Sequence, residues 1–232
     1  MNALQQILEH DAASPWTFLN GSFWLFLLVV LALDAALHRD RQRGLRHFWL
    51  LLASLLFYWK TSGWFFLILV FSTVSDYWIG HRIAAANGDR GKNRWLALSI
   101  GLNLALLFYF KYTYFLTESW NAATGSSIIP RNWLAMGVNA AAGTSWSVDR
   151  ILLPVGISFY TFQTISYTVD IRRGLVQPLK RLSDFGFYVS FFPQLVAGPI
   201  VRAADFIPQI LPPKPVTKAT IGRAGFWILN GL

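Results

Sequence analysis

Residues 152–206, LLPVGISFYTFQTISYTVDIRRGLVQPLKRLSDFGFYVSFFPQLVAGPIVRAADF, decide the fold. On a helical wheel Gly156, Tyr160, Gln163, Tyr167 and Asp170 recur at steps of four, three, four and three, within about 80° of one another. This predicts a helix over 152–170, with Pro154 in its first turn and a polar stripe ending in a carboxylate at the inner face. Ser158, Thr161 and Thr168 fall on the opposite side, so the helix has no wide apolar face and is expected inside a bundle. The next apolar run, 184–206, is interrupted by Pro193 and by Gly198-Pro199. Lipid tolerates irregular backbone only where protein or water covers it, so this run reads as a broken or re-entrant hairpin.

Five residues of the stretch are candidates for lining a substrate channel: Tyr160, Gln163, Tyr167, Asp170 and Arg202. For the Tyr160/Gln163/Tyr167 stripe, polar packing between helices is an equal reading; for Ser158 and Thr168 packing is preferred. Asp170 beside Arg172-Arg173 reads first as an anchor and ion pair. Arg202 suits a phosphate, a carboxylate or a thioester carbonyl, and equally a pair with Asp205 or a lipid headgroup.

Outward from this stretch, the chain of 232 residues is 54% hydrophobic and 13% charged, with a mean hydropathy of +0.41. That composition predicts an all-α, polytopic integral membrane bundle. The spans are expected at 16–37, 48–59, 64–80, 95–116 and 152–170, followed by the broken helix 184–206 and an incomplete helix over 217–232. Asp34 and Asp76 read as interfacial acids, Asp34 near Arg39 and Arg41. Lys60 reads as snorkelling to the interface, Lys111 as an outer anchor, and Asn103 as a hydrogen-bonding group between helices. The connection 117–150, with Trp120, Trp133 and Trp146, suggests a surface segment with a short interfacial helix.

The formal charge of +9 would raise nucleic acid for a soluble protein, but the basic residues sit in short stretches between apolar runs. Stretches 38–47, 81–94 and 171–184 each carry a net charge of about +3, whereas 117–150 is balanced. Alternation of this kind predicts cytoplasmic basic loops and an N-terminus outside the membrane. No cysteine is present, which excludes disulfides and thiolate chemistry. Gly21, Gly44 and Gly63 are isolated and form no phosphate-binding pattern. No metal site or bound cofactor is expected.

The strings LLPVGISFYTFQTISYTVDIRRG, FFPQLVAGPIVRAADF and GFWILNGL, with LLLASLLFYWK, SDYWIGHRI and LNLALLFYFKYTYF before them, resemble the membrane-bound O-acyltransferase family. The likeness is to its alginate O-acetylation branch. The resemblance implies transfer of an acyl group from a cytoplasmic donor, an acetyl thioester or a relayed acyl group, to hydroxyls of an extracytoplasmic polysaccharide. Implied partners are membrane lipid and other membrane or periplasmic proteins of polymer acetylation. The bacterial inner membrane is the implied location. The family's hallmark histidine lies in a tryptophan- and arginine-rich segment; His10, His38, His47 and His81 match no such segment, and His38, His47 and His81 read as surface groups. No catalytic residue is carried over. The chain is expected to be the N-terminal part of a longer acyltransferase domain, inactive alone. A small-solute transporter or channel and a non-catalytic assembly subunit are the alternatives.

Overall fold

A computed structural model describes residues 15–37, 43–196, 198–210 and 217–231. All the secondary structure among them is helical. The helices are α1 (Gly21–Ala36), α2 (Arg43–Ser62), α3 (Phe66–Ala85), α4 (Gly88–Leu107), α5 (Thr113–Thr124), α6 (Trp133–Ala142), α7 (Ile157–Arg172), α8 (Leu182–Ser190), α9 (Phe192–Leu195), α10 (Ala203–Ile210) and α11 (Lys218–Gly231). A π turn, Phe108–Tyr112, joins α4 to α5. Two helical stretches, Gly44–Ala85 and Gly88–Thr124, are long and apolar enough to cross a membrane. Large apolar side chains such as Leu25, Leu28, Leu31 and Trp78 lie exposed on them and on α1.

Helix α7 occupies the interior. It packs against α3 and α4 on one flank and against α8 and α10 on the other. The absence of a clean apolar face dictates this, because polar side chains around the whole helix need protein partners. An aromatic cluster closes the other side of α8, where Phe23, Phe57, Phe187 and Phe192 are buried among α1, α2, α8 and α9.

Gly63, with φ +58°, turns the chain between α2 and α3. The start of α2 and the later half of α3 therefore reach the same segment. Arg181 lies against Gly44, and the Tyr77 hydroxyl donates to the Lys180 carbonyl at 2.9 Å. Arg172 bridges to Asp89 and Asn93 at the start of α4, both at 2.8 Å. The described parts of the stretches read as basic loops, 43–47, 81–94 and 171–184, thus gather at one end of the bundle, with Tyr58–Val155 and Tyr114–Ile151 contacts at the other.

Several expectations are corrected. Helix α2 runs from Arg43 to Ser62, beyond both ends of the expected 48–59, so Lys60, Thr61 and Ser62 belong to it. Stretch 81–94 is helical except at Ala86-Asn87: its charges extend α3 and α4 by hydrogen-bonded turns beyond the apolar residues. Lys60 is buried, its ammonium 5.5 Å above the Trp16 ring, instead of reaching outward. Asp34 pairs with Arg46; Arg39 and Arg41 lie outside the described residues. Pro154 precedes α7, which starts only at Ile157 after Gly156 with φ +73°. A side chain at Gly156 would strain that left-handed backbone and meet the Leu195 carbonyl oxygen at 2.6 Å. The interruption expected at Pro193 is present: the helix before it ends at Ser190, the break falls at Phe191, and Pro193 opens α9.

Candidate functional site

The predicted stripe on α7 stays together but faces protein. Tyr160, Tyr167 and Asp170 are fully buried and Gln163 nearly so. The hydrogen-bond partners of the Gln163, Tyr167 and Asp170 side chains all lie in segment 179–204. Gln163 Nε2 donates to the Tyr188 carbonyl at 2.8 Å, which belongs to the last turn of α8, where carbonyls lack helical partners. The Leu179 N–H donates to the Tyr167 hydroxyl at 3.1 Å. The Tyr160 hydroxyl is buried without a hydrogen-bond partner. Gly156 drops out of the stripe because it precedes the helix.

The stripe ends in a charged pair that joins two of the candidates. Arg202 Nη2 donates to Asp170 Oδ1 at 2.8 Å. The Ala204 N–H, in the first turn of α10, donates to Oδ2 at 3.3 Å. A carboxylate at a helix N-terminus satisfies a free amide and favours the positive end of the helix dipole. The anticipated partner Asp205 is not the one used: Asp170 is fully buried, while the Arg202 side chain is 51% exposed. One guanidinium N–H is thereby fixed on a buried carboxylate, and the exposed remainder keeps further N–H donors. Arg172, expected beside Asp170, serves Asp89 instead.

Two groups escaped the reading of the sequence. His47 is buried, not a surface histidine. Its Nδ1 lies 2.9 Å from Asp184 Oδ1, and its ring stacks on Phe187 at 5.6 Å between centroids. His81 is half-buried, its Nδ1 2.9 Å from the Tyr77 carbonyl; His10 and His38 lie outside the described residues. Asp76 is not interfacial but fully buried, accepting from Ser99 Oγ and Asn103 Nδ2, each at 2.6 Å. Asn103 does link helices, as its mid-span position implied, accepting from Ser72 and Thr164. Thr168 is buried against Ser99. Ser158, on the same helix, is half-buried and accepts from Lys111 Nζ at 3.3 Å.

The resemblance noted in the sequence is borne out by comparison with known proteins. The chain is 38% identical over 193 residues to the "Probable alginate O-acetylase" of Pseudomonas aeruginosa, covering 82% of this chain and 33% of that protein. It is 38% identical over 188 residues to the protein of the same name from Azotobacter vinelandii, covering 80% and 34%. The "Peptidoglycan O-acetyltransferase" of Helicobacter pylori is 30% identical over 185 residues, covering 69% and 32%. No family model matches the chain, and no solved structure does. By these relatives the chain belongs to the membrane-bound O-acyltransferase family. Its branch there is that of the alginate O-acetylases. The chain spans about a third of the length of the curated relatives it matches.

Proposed function

We propose that this chain forms part of a multi-pass O-acyltransferase of the bacterial inner membrane, which acetylates hydroxyls of an extracytoplasmic polysaccharide such as alginate. The observation that carries this reading is the 38% identity to an alginate O-acetylase over 82% of the chain. In the transfer, the sugar hydroxyl attacks the acyl carbonyl, a C–O ester bond forms, the bond from acyl group to donor breaks, and a base accepts the hydroxyl proton. The donor is an acetyl thioester or a relayed acyl group. The family resemblance implies a histidine base in a tryptophan- and arginine-rich segment, and His10, His38, His47 and His81 are matched to none, so no residue of this chain is given that role. Other membrane or periplasmic proteins of polymer acetylation are its partners.

Within this reading Arg202 meets the anionic or carbonyl part of a substrate, and Asp170 positions it. Gln163 and Tyr167 hold the broken segment 179–204 against α7, so they shape the site without touching substrate, and buried Tyr160 fills space beside them. The gathering of basic residues at one end of the bundle supports a cytoplasmic face there, with the N-terminus outside.

The test is expression of the gene carrying this chain in a bacterium that secretes unacetylated alginate, with acetyl esters measured on the polymer. Restored esters, falling about tenfold or more with Arg202→Lys because lysine lacks the planar fork, support the reading. Polymer without esters, from cells whose membranes contain the protein, rejects it and leaves the transporter or assembly roles.

A further inference from the structure

The outward face of α3 is an apolar ladder that ends in an arginine. Its exposed positions run Leu67, Phe71, Val74, Trp78 and Arg82, at steps of four, three, four and four. The buried residues of α3, Asp76 among them, lie on the other side. Beside the ladder, α4 exposes Arg94 and Leu98 and presents the half-buried Trp95. The Trp78 and Trp95 rings meet edge to face, their centroids 5.0 Å apart. The Arg82 guanidinium lies over both, 4.6 Å from the Trp78 centroid and 5.9 Å from that of Trp95.

The two rings order the long Arg82 side chain and attract its charge, but they offer it no acceptor oxygen. Nor does a carboxylate: the ion pairs among the described residues use Arg46, His47, Arg172 and Arg202. Water can satisfy an exposed arginine anywhere; what distinguishes this one is its depth. Four exposed apolar side chains precede it on the same face, the surface a spanning helix turns to hydrocarbon. Tryptophans gather at headgroup level, and Arg82 stands one turn beyond Trp78, about 6 Å further along the axis, at the end where the basic stretches meet. Lipid phosphate lies at that level. A phospholipid has the same order of apolar length and then anion along its own axis as the ladder. A protein partner would have to cover four apolar side chains and still bring an anion to Arg82. Stretch 81–94 carries about +3, which favours an acidic lipid over a zwitterionic one, whose own cation competes for the phosphate.

We propose that Arg82, held by Trp78 and Trp95, binds the phosphate of an acidic phospholipid whose acyl chain lies along Val74 and Phe71. The site presupposes the multi-pass membrane reading given above. Melting of the purified full-length protein in an uncharged detergent tests it, with phosphatidylglycerol or phosphatidylcholine added at equal mole fraction and one ionic strength. The midpoint is expected to be about 2–4 °C higher with phosphatidylglycerol at saturation. Arg82→Gln should remove most of that difference, whereas Arg90→Gln, at an exposed arginine in the first turn of α4, should keep it. Trp78→Leu keeps an apolar side chain without the ring and should raise the half-saturating lipid fraction about threefold. Equal midpoints in the two lipids, both above that of the lipid-free protein, would overturn the site and leave the membrane reading standing; no response to either lipid would count against both. A difference that survives Arg82→Gln, falls equally with Arg90→Gln, or is reproduced by inorganic phosphate would also overturn the proposal.

Discussion

Removing the Arg202 side chain while Asp170 stays buried is the most informative perturbation of the fold around the candidate site. In Arg202→Ala the Asp170 carboxylate, fully buried, keeps a single long hydrogen bond, from the Ala204 N–H at 3.3 Å. A buried acceptor losing its charged donor costs about 1–3 kcal/mol. The upper range for a wholly buried pair, about 3–5 kcal/mol, is not reached, because the guanidinium is 51% exposed and its attraction is screened by solvent. For a chain of this size, at about 2–4 °C per kcal/mol, that corresponds to a fall in melting temperature of roughly 2–12 °C. Replacing the carboxylate at the same time, in Asp170→Asn/Arg202→Ala, removes the stranded charge and should recover about half of the loss. Melting of the purified variants in one detergent gives all corners of the cycle. If Arg202→Ala melts within about a degree of the parent, or if the double variant melts below both single ones, the pair does not act as described.

Gly156→Ala forces a side chain into left-handed backbone, at about 1–2 kcal/mol, and against the Leu195 carbonyl. Its midpoint should fall by roughly 5 °C or more, whereas Gly125→Ala, left-handed but open, should lose less. Tyr160→Phe deletes a buried hydroxyl with no partner, so its melting temperature should stay level or rise slightly; a clear drop would show that the hydroxyl is bonded. The chain has no native cysteine, which makes topology directly readable. Single cysteines at Ala86 and Ser127, treated in intact cells with a membrane-impermeant maleimide, should give labelling at 127 and none at 86.

What could be read from the sequence followed from local constraint. Polar residues around every side of 157–172 dictated an interior helix, and the proline and glycine positions marked a broken segment. The Asn103 amide, in the middle of an apolar run, had to find neighbouring helices. Depth was harder to judge. Asp76 looked interfacial because His81 and Arg82 follow it, yet α3 continues to Ala85, which adds about two and a half turns beyond Asp76. The same effect hid His47: α2 begins at Arg43, so His47 is one turn inside the helix and faces α8. Charged residues can prolong an apolar helix past the point where hydropathy ends, because the backbone bonds require only continuity. The Arg202–Asp170 pair joins residues 32 positions apart in sequence. Spacing gave no preference for it over Asp205 one turn away, and only the fold of the broken segment chose between them.

The π turn at Phe108–Tyr112 bears on how this chain can change length. In an uninterrupted helix, deleting one residue rotates everything beyond it by about 100° and turns buried side chains outward. A π turn holds one residue more than α-helical bonding accommodates. Loss of a residue within 108–112 lets the backbone relax to regular α-helix. Asn103 before the turn and Tyr114 after it, which accepts from the Ile151 N–H, then keep their facing directions. Segment 108–112 is therefore a natural place in this long helix for a one-residue gain or loss between relatives, with the contacts on either side left in phase.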